Sequence, residues 1–526
     1  MKIQNAKTQR SIFFLCIIFL AKSVFALPFD MILTGDPILE DIRFLSIESG
    51  TTFLSFTPPL APAEVENFLD SIDPSVLSIP AQEAYQRIQN RLIPQSRLSF
   101  ASDNFSALLN INSTVEGRVR FNRDLDWHPR HPNIAPMISL PARFFFANTV
   151  QLYLEPFVAV SIPHYEKAGT FGTNLHYNVE GDLDPTMPHR AFLAAGGSWW
   201  NFQIGRDHLF WGTGHTGSFS FSGNASYFEY ARLSLFSGRF KYSLVINQMP
   251  LRLTHDMAYG GDRSRTTQRH FYLHRLDFIF RDSLSIGIME GRMVGNSPLN
   301  LRYIIPLAMF NSSEEDMTSS FFSIEANWNI FRSFSVYGQF VMNDFAALSD
   351  NSSQSPSGLG FMAGLNFTHS FSTWGSVFFL EYIYTHPYLY MSSSPFSSFI
   401  QRNRVDVTGT RYYFIGFPRD TITLTLGARF FRGSALSLTG ELSWLSRGEY
   451  ATDNVMWNWT SSASNQRNLS GIPENNYIAA FSAMWQPLSR FSFNGNITGI
   501  FSRGNNNIPG SNITGGQMSF SVIFQY

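Results

Sequence analysis

The stretch Gly212-Thr213-Gly214-His215-Thr216-Gly217 fits the pattern G-x-G-x-x-G. In dinucleotide-binding folds that pattern presents backbone N–H groups to a phosphate. The chemistry needs a strand before the pattern and a helix after it, because the helix N-terminus supplies the dipole and the free N–H groups. A second chemistry is available nearby. Ser218 and Ser222, with His208, His215 and Asp207, contain the side-chain types of a nucleophile–base pair at a hydrolase site. The same residues are common in any polar loop. A third is metal binding, for which His128/His131, His208/His215 and His270/His274 are the nearest groupings. A fourth is sugar binding, which uses aromatic faces among amides and hydroxyls. Tyr450, Trp457 and Trp459 lie in such a setting, as do Tyr388, Tyr390, Arg402, Arg404, Tyr412 and Tyr413. The competing use of Trp and Tyr is a girdle at a membrane interface.

Which chemistry applies depends on the elements that carry these residues. Of 526 residues, 15% are charged and 16% aromatic, with 52 Phe. A soluble chain carries about 25% charged residues. Beyond the N-terminus there is still no apolar run of the roughly 18 residues that a membrane helix needs. Aromatic-rich, charge-poor sequence without helical spans fits a membrane β-barrel, where apolar and polar residues alternate. The formal net charge of -1 and the lack of a basic run argue against nucleic-acid binding.

Residues 1–26 have the form of an export signal. Lys2, Lys7 and Arg10 precede "SIFFLCIIFLA", and Val24 and Ala26 stand before the cut. The single cysteine, Cys16, falls inside this segment. The mature chain then has no thiol, which excludes disulfides, zinc–thiolate sites and cysteine nucleophiles. With no H-E-x-x-H either, no metal site, cofactor or catalytic residue is expected.

Residues 27–95 read as a small three-helix region. Asp36, Pro37 and Gly50 bracket one helix, with Ile38, Ile42 and Leu45 on one face. A second carries Val65, Phe68, Leu69 and Ile72, and a third Ala81, Tyr85, Ile88 and Leu92.

From residue 96 to 526 the period is two. In "QMSFSVIFQY", Met518, Phe520, Val522, Phe524 and Tyr526 face one way; Gln517, Ser519, Ser521 and Gln525 face the other, with Ile523 the exception. Polar faces of Ser, Thr, Asn and Gln opposite bulky apolar faces suit a barrel with lipid outside and a polar lumen. Tight turns are expected at "ANT" 147–149, "AGGS" 195–198, "FSGRF" 236–240, "FRDSL" 280–284, "FRSFS" 331–335, "THSFS" 368–372, "FRGSA" 431–435 and "PLSRF" 487–491. Barrels place short turns on the periplasmic side and long loops outside. An even count of about eighteen antiparallel strands then follows, with "RYYFIGF" at 411–417 assigned to an outer loop. The aromatic end at Tyr526 is the form of an assembly signal read by the barrel assembly machinery.

Within this topology Gly212–Ala225 is an outer loop between the rising strand "WWNFQIGRDHLFWG" and its descending partner "YFEYARLSLF". No helix follows Gly217, so the phosphate reading loses its context. The glycines serve a tight turn or a fold back into the lumen.

"GRDHLFWGTGHTGSFSFSGNA" resembles the signature of the Wzi-like capsule assembly family: Gly-Arg-Asp, Trp-Gly-x-Gly, then Ser-x-Asn-Ala. "LRYIIPLAMF" at 301–310 is similar to its Arg-Tyr-x-x-Pro segment, and "DPILEDIRFL" to its N-terminal bundle. Thr213 stands where the family often has Pro, and Gly223 precedes Asn224. The resemblance implies an eighteen-stranded outer-membrane barrel with a periplasmic helical bundle, holding capsular or other exopolysaccharide at the cell surface as a lectin does. Arg206, Asp207, Trp211, Gly212, Gly214, Asn224, Trp457 and Trp459 are the candidate ligand-binding residues. Arg206 and Asp207 have a structural alternative, pinning the loop by ion pairs. The expected partners are outer-membrane lipid, surface polysaccharide and the assembly machinery. A porin for small solutes is the chief rival function; a surface adhesin or an outer-membrane hydrolase follows.

Overall fold

The computed structural model describes residues 29–96, 98–122, 135–160, 171–174, 183–184, 190–223, 227–249, 251–252, 266–305, 318–343, 358–392, 394–406, 409–451 and 469–526. The candidates Asn224, Trp457 and Trp459, the pair His128/His131 and the export signal lie outside these residues.

Period-two segments become antiparallel strands joined by tight turns. Trp200–Asp207 pairs with Phe228–Phe236, Phe228–Phe236 with Phe240–Gln248, and the ladder continues strand by strand to Phe491–Arg503 and Asn512–Gln525. The last strand then pairs with Asn112–Phe121, with Val522 opposite Val115. Because Asn112–Phe121 also pairs with Ile138–Ser139, and Phe105–Leu109 with Ala142–Phe146, this pairing closes the sheet, which is how a membrane-spanning sheet pairs its edges. Leu98–Ser102 pairs with Phe105–Leu109 as an added hairpin at the rim.

Alternation sets the two faces. Phe202, Ile204, Leu426, Leu442, Ile497, Met518 and Phe520 point outward and are exposed. Their neighbours Asn201, Gln203, Thr425, Thr498 and Gln517 point inward and are buried. A wide apolar outer belt on a closed sheet is the surface a bilayer solvates. "RYYFIGF" stays out of the main ladder: Ile400–Asp406 pairs with Gly409–Phe414 in a separate hairpin, and Trp374–Thr385 pairs directly with Thr421–Arg432. One turn is displaced from its expected position. His369–Phe371 continue the strand Gly358–Phe371, and the reversal falls just beyond, where Ser372 takes φ 52°.

Three helices, α1 (Ile38–Ser49), α2 (Pro62–Leu69) and α3 (Ile79–Arg91), form where the apolar stripes indicate. Asp36 accepts the Ile38 N–H at 3.2 Å, and Gly50 ends α1 in the left-handed region at φ 77°. Ile42, Leu45, Val65, Phe68, Ala81 and Ile88 share one core with Val377 and Phe431 of the barrel wall. The helical region therefore packs onto the barrel rather than standing apart. It sits at the tight-turn end: Ser333 N–H donates to the Ile47 carbonyl at 2.8 Å, and Thr52 N–H to the Asp282 carbonyl at 2.6 Å. Its polar groups meet inward-facing wall residues. Asp30 receives Arg143, Gln151 and Arg91 at 2.7–2.9 Å, and Lys241 is held by Glu64 and Thr57.

Candidate functional site

After Asp207 the chain turns inward instead of projecting outward. Phe210–Trp211 pairs with Phe221–Ser222, and the loop between them drops into the lumen. It reaches the helical region: the Gly212 N–H donates to the Phe56 carbonyl at 2.9 Å, and Arg43 Nη1 to the Thr213 carbonyl at 2.7 Å. The G-x-G-x-x-G amides do bind an anion, but it belongs to the protein. The N–H groups of His215 and Thr216 donate to the two oxygens of Glu381 at 2.8 and 3.1 Å. The Thr216 hydroxyl and the Tyr337 hydroxyl complete that carboxylate's shell.

The rest of the plug alternates buried serines, Ser218, Ser220 and Ser222, with buried aromatics. Trp211, Phe219 and Phe221 pack with Tyr390, Phe399 and Ile415 from the loop after Trp374–Thr385. Arg269 ties that second loop to the wall through the carbonyls of Phe396, Ser398 and Ile400. Inward residues at this level include the apolar Phe271, Leu273, Met289, Val341, Met362 and Ile383, interspersed with polar ones such as Gln339 and Asn343 that bond the plug. The expected polar lumen is thus interrupted by apolar side chains on this side of the barrel. A buried loop of Trp and Phe needs an apolar wall, because unpaired polar groups facing it would be desolvated at a cost.

The outer edge of the plug is fixed by Asp420. Its carboxylate accepts the Tyr450 N–H at 3.0 Å, the Ser470 N–H at 2.9 Å and the Ser470 hydroxyl. Burial pushes the Asp420 carboxyl above the usual carboxylate range, against the pull of the Ser470 and Tyr450 donors and of Arg419. Burial likewise pushes the Arg419 guanidinium down to about 10, opposed by Asp420.

The structure separates the candidate residues. Arg206 points outward, pairs with Glu229 at 2.5 Å and covers the Tyr227 ring at 4.1 Å. Asp207 points inward to Arg190 at 3.1 Å and Gln203 at 3.2 Å. Of the two roles open to them, the contacts present are ion pairs, made with Glu229 and Arg190 rather than with each other. Trp211 is fully buried, with Phe221 edge-on at 5.3 Å and Arg232 over its ring at 5.3 Å. Tyr388 and Tyr390 are buried too. Ser218 donates to the Trp211 carbonyl, while the His215 ring stacks on Phe379 at 4.1 Å and meets Asn366 at 2.7 Å. His274 bonds Tyr242 at 2.7 Å and the Tyr303 carbonyl at 3.0 Å on the outer wall, where part of "LRYIIPLAMF" lies against it. Among the described residues no group of three His, Cys, Asp or Glu could hold a metal ion. Glu381, Asn366 and Gln339 were missed by sequence reading. Their one signal is a long polar side chain at an inward position of an otherwise small-polar or apolar face.

A closed antiparallel sheet with an apolar belt and a folded-in outer loop defines a membrane-spanning β-barrel with a plugged interior. Residues 157–418 match the family model of the capsule assembly protein Wzi, and by that match the chain belongs to the Wzi capsule assembly family. No curated protein matches the sequence. Among solved structures, the chain is similar to Wzi of Escherichia coli, described as an outer membrane protein involved in group 1 capsule assembly and a carbohydrate-binding β-barrel. The identity is 13%, with 94% of this chain and 98% of that chain covered, at a TM-score of 0.56. At that identity the likeness concerns the fold. Pseudomonas aeruginosa OprD is similar at 10% identity, covering 80% of this chain and 95% of that chain, with a TM-score of 0.38.

Proposed function

We propose that this barrel sits in the bacterial outer membrane and holds capsular or other exopolysaccharide at the cell surface, as a lectin does. The observation that carries the reading is the family match over residues 157–418 together with a lumen filled, on one side, by two buried outer loops. The carbohydrate binding described for Wzi of Escherichia coli is consistent with it. Packing of this kind makes the outer loops a fixed scaffold and favours a binding surface over a wide pore. The contact groups are the aromatics of the 447–475 loop, Trp457 and Trp459, which can lie flat on the C–H faces of sugar rings. Trp211, Gly212 and Gly214 act indirectly, by shaping the plug. The functional assignment is binding rather than chemistry.

A glycan-binding screen on the purified protein tests the reading. Retention of one or more bacterial surface polysaccharides, lost in Trp457→Ala or Trp459→Ala, supports it. Large single-channel steps in planar bilayers with no glycan bound would replace it with a porin.

A further inference from the structure

The plug and helices do not cover the whole inner wall. Against Phe228–Phe236, Phe240–Gln248, Thr318–Phe331 and Phe334–Asn343, the inward side chains Ser234, Ser243, Ser323 and Ser335 are wholly buried. Against Leu436–Arg447, Glu474–Leu488, Phe491–Arg503 and Asn512–Gln525 the situation reverses. Thr439, Ser482, Asn494, Ser519 and Ser521 point inward yet are part-exposed, and Asn496 is exposed. The flanking Ile497, Met518 and Phe520 point to lipid, so this exposure is to the lumen.

The exposed groups are in register. Arg429 stands opposite Thr439, Thr439 opposite Ser482, Ser482 opposite Asn496, Asn496 opposite Ser519, and Ser519 opposite Arg118. One row of the ladder thus presents hydroxyl, hydroxyl, amide and hydroxyl between two arginines. Each arginine already has a carboxylate: Glu40 at 3.2 Å for Arg429 and Glu116 at 2.8 Å for Arg118. The row therefore offers directional donors and acceptors with no net charge.

The row belongs to a space that is open at one end. Toward the outer end the same strands bury their inward residues: Thr498, Gln517, Ile478, Ile500, Asn476 and Ser502. Toward the tight turns the lining stays accessible through Ser437, Met484 and Asn494, with Ser492 covered at the last inward position of its strand. Helix α3 marks the edge, with Glu83 and Arg87 against Gly433 and with Gln82, Gln86, Gln89 and Asn90 exposed on its surface.

We propose that this wall lines a vestibule, blind at the outer end and open to the periplasm, that binds a neutral polyhydroxylated chain, a saccharide segment. The class follows from the lining. Hydroxyl and amide groups exchange hydrogen bonds with sugar hydroxyls one for one, whereas an anion or cation would meet arginines and carboxylates that are already paired. Adjacent strands repeat every ~4.8 Å, close to the length of one hexose unit, so each strand of the row can address one ring. The site is separate from the outer loops and does not depend on a sugar bound there.

The mature chain is expected to lack cysteine, so a single introduced thiol reports cleanly. Asn496→Cys is made in the full chain, purified from membranes, and labelled with a hydrophilic maleimide. Ser335→Cys on the covered wall is the comparison. The expected result is rapid labelling at 496, little at 335, and a several-fold slowing at 496 by maltoheptaose, xylohexaose or a mannan oligomer. In a protein carrying Trp457→Ala and Trp459→Ala, which no longer retains the surface polymer, these short oligomers should still bind, and Asn496→Trp, which fills the row, should abolish that remaining binding with the melting temperature unchanged. The proposal is overturned if position 496 does not label, or if all three glycans leave its rate unaltered. Failure of surface binding in the loop variants alone would leave protection at 496 intact, so the two sites are judged separately.

Discussion

The backbone N–H of Thr216 lies 3.1 Å from a carboxylate oxygen of Glu381, and that of His215 lies 2.8 Å from the other. A loop with the spacing of a phosphate cradle is thus occupied by a side chain of the barrel wall. Backbone N–H groups that converge on a point favour any anion that reaches them. Here the anion is fixed on a strand, so the interaction anchors the loop. Glu381→Leu leaves these two part-buried amides without that acceptor. It is expected to lower stability by roughly 2–4 kcal/mol and to expose residues 212–220 to protease. Thermal unfolding in detergent, with mapping of the first cleavage sites, checks this.

The third residue of the motif has no room for a side chain. A Cβ on Gly214 would stand 2.3 Å from the Gly217 carbonyl oxygen and 2.8 Å from Met362 Sδ. The first of these is backbone and cannot swing away. Gly214→Ala is therefore expected to eject the loop and to raise ion conductance in planar bilayers, while the strands still form. Unchanged conductance and melting in Gly214→Ala would show that the loop has slack the contacts do not reveal.

Lys241 of the wall is wholly buried against Glu64 and Thr57 of the helical region. Removing one partner strands a buried charge, at a cost of about 3–5 kcal/mol. Glu64→Leu alone is expected to show that loss. Lys241→Met with Glu64→Leu is expected to recover most of it, because the pair is replaced by apolar contact. A double-mutant cycle on melting temperature measures the coupling.

Asp420 gives the outer cap a pH dependence. Its carboxyl is raised by burial, so the folded state holds the proton more tightly than the unfolded chain does. The stabilisation is complete below the unfolded value of about 3.9 and is lost as pH rises through the higher folded value. Cap stability should fall on going from acidic to neutral pH. Hydrogen exchange at the Tyr450 and Ser470 amides, followed over that range, reads it directly. Asp420→Asn should remove the slope while weakening one of the two amide contacts.

Much of the architecture is legible in residue alternation. "QMSFSVIFQY" assigns its lipid and lumen faces correctly, with Met518 and Phe520 outside and Gln517 inside. The helix stops are equally plain, since Asp36 and Gly50 act through their own backbone neighbours. The plug was less legible. Phe271 and Leu273 point inward beside an outward Tyr272, so that segment is apolar on both faces. A two-faced apolar strand signals that something apolar lies inside, but period-two reading does not say which loop. The partner came from far along the chain, residues 386–418, and sequence distance hides such contacts. Trp211 shows the same limit: an aromatic in an outer loop reads as a sugar platform, yet its burial between Phe221 and Arg232 depends on the fold as a whole.

The proposed role of this barrel is to keep polysaccharide on the cell. Deleting the chain in its own bacterium, then separating cell-bound from shed polymer, tests that most directly. The expected result is unchanged total polymer with most of it moved to the medium, restored by the intact chain and not by the Trp457→Ala, Trp459→Ala form. An unchanged cell-bound fraction after deletion would contradict the claim.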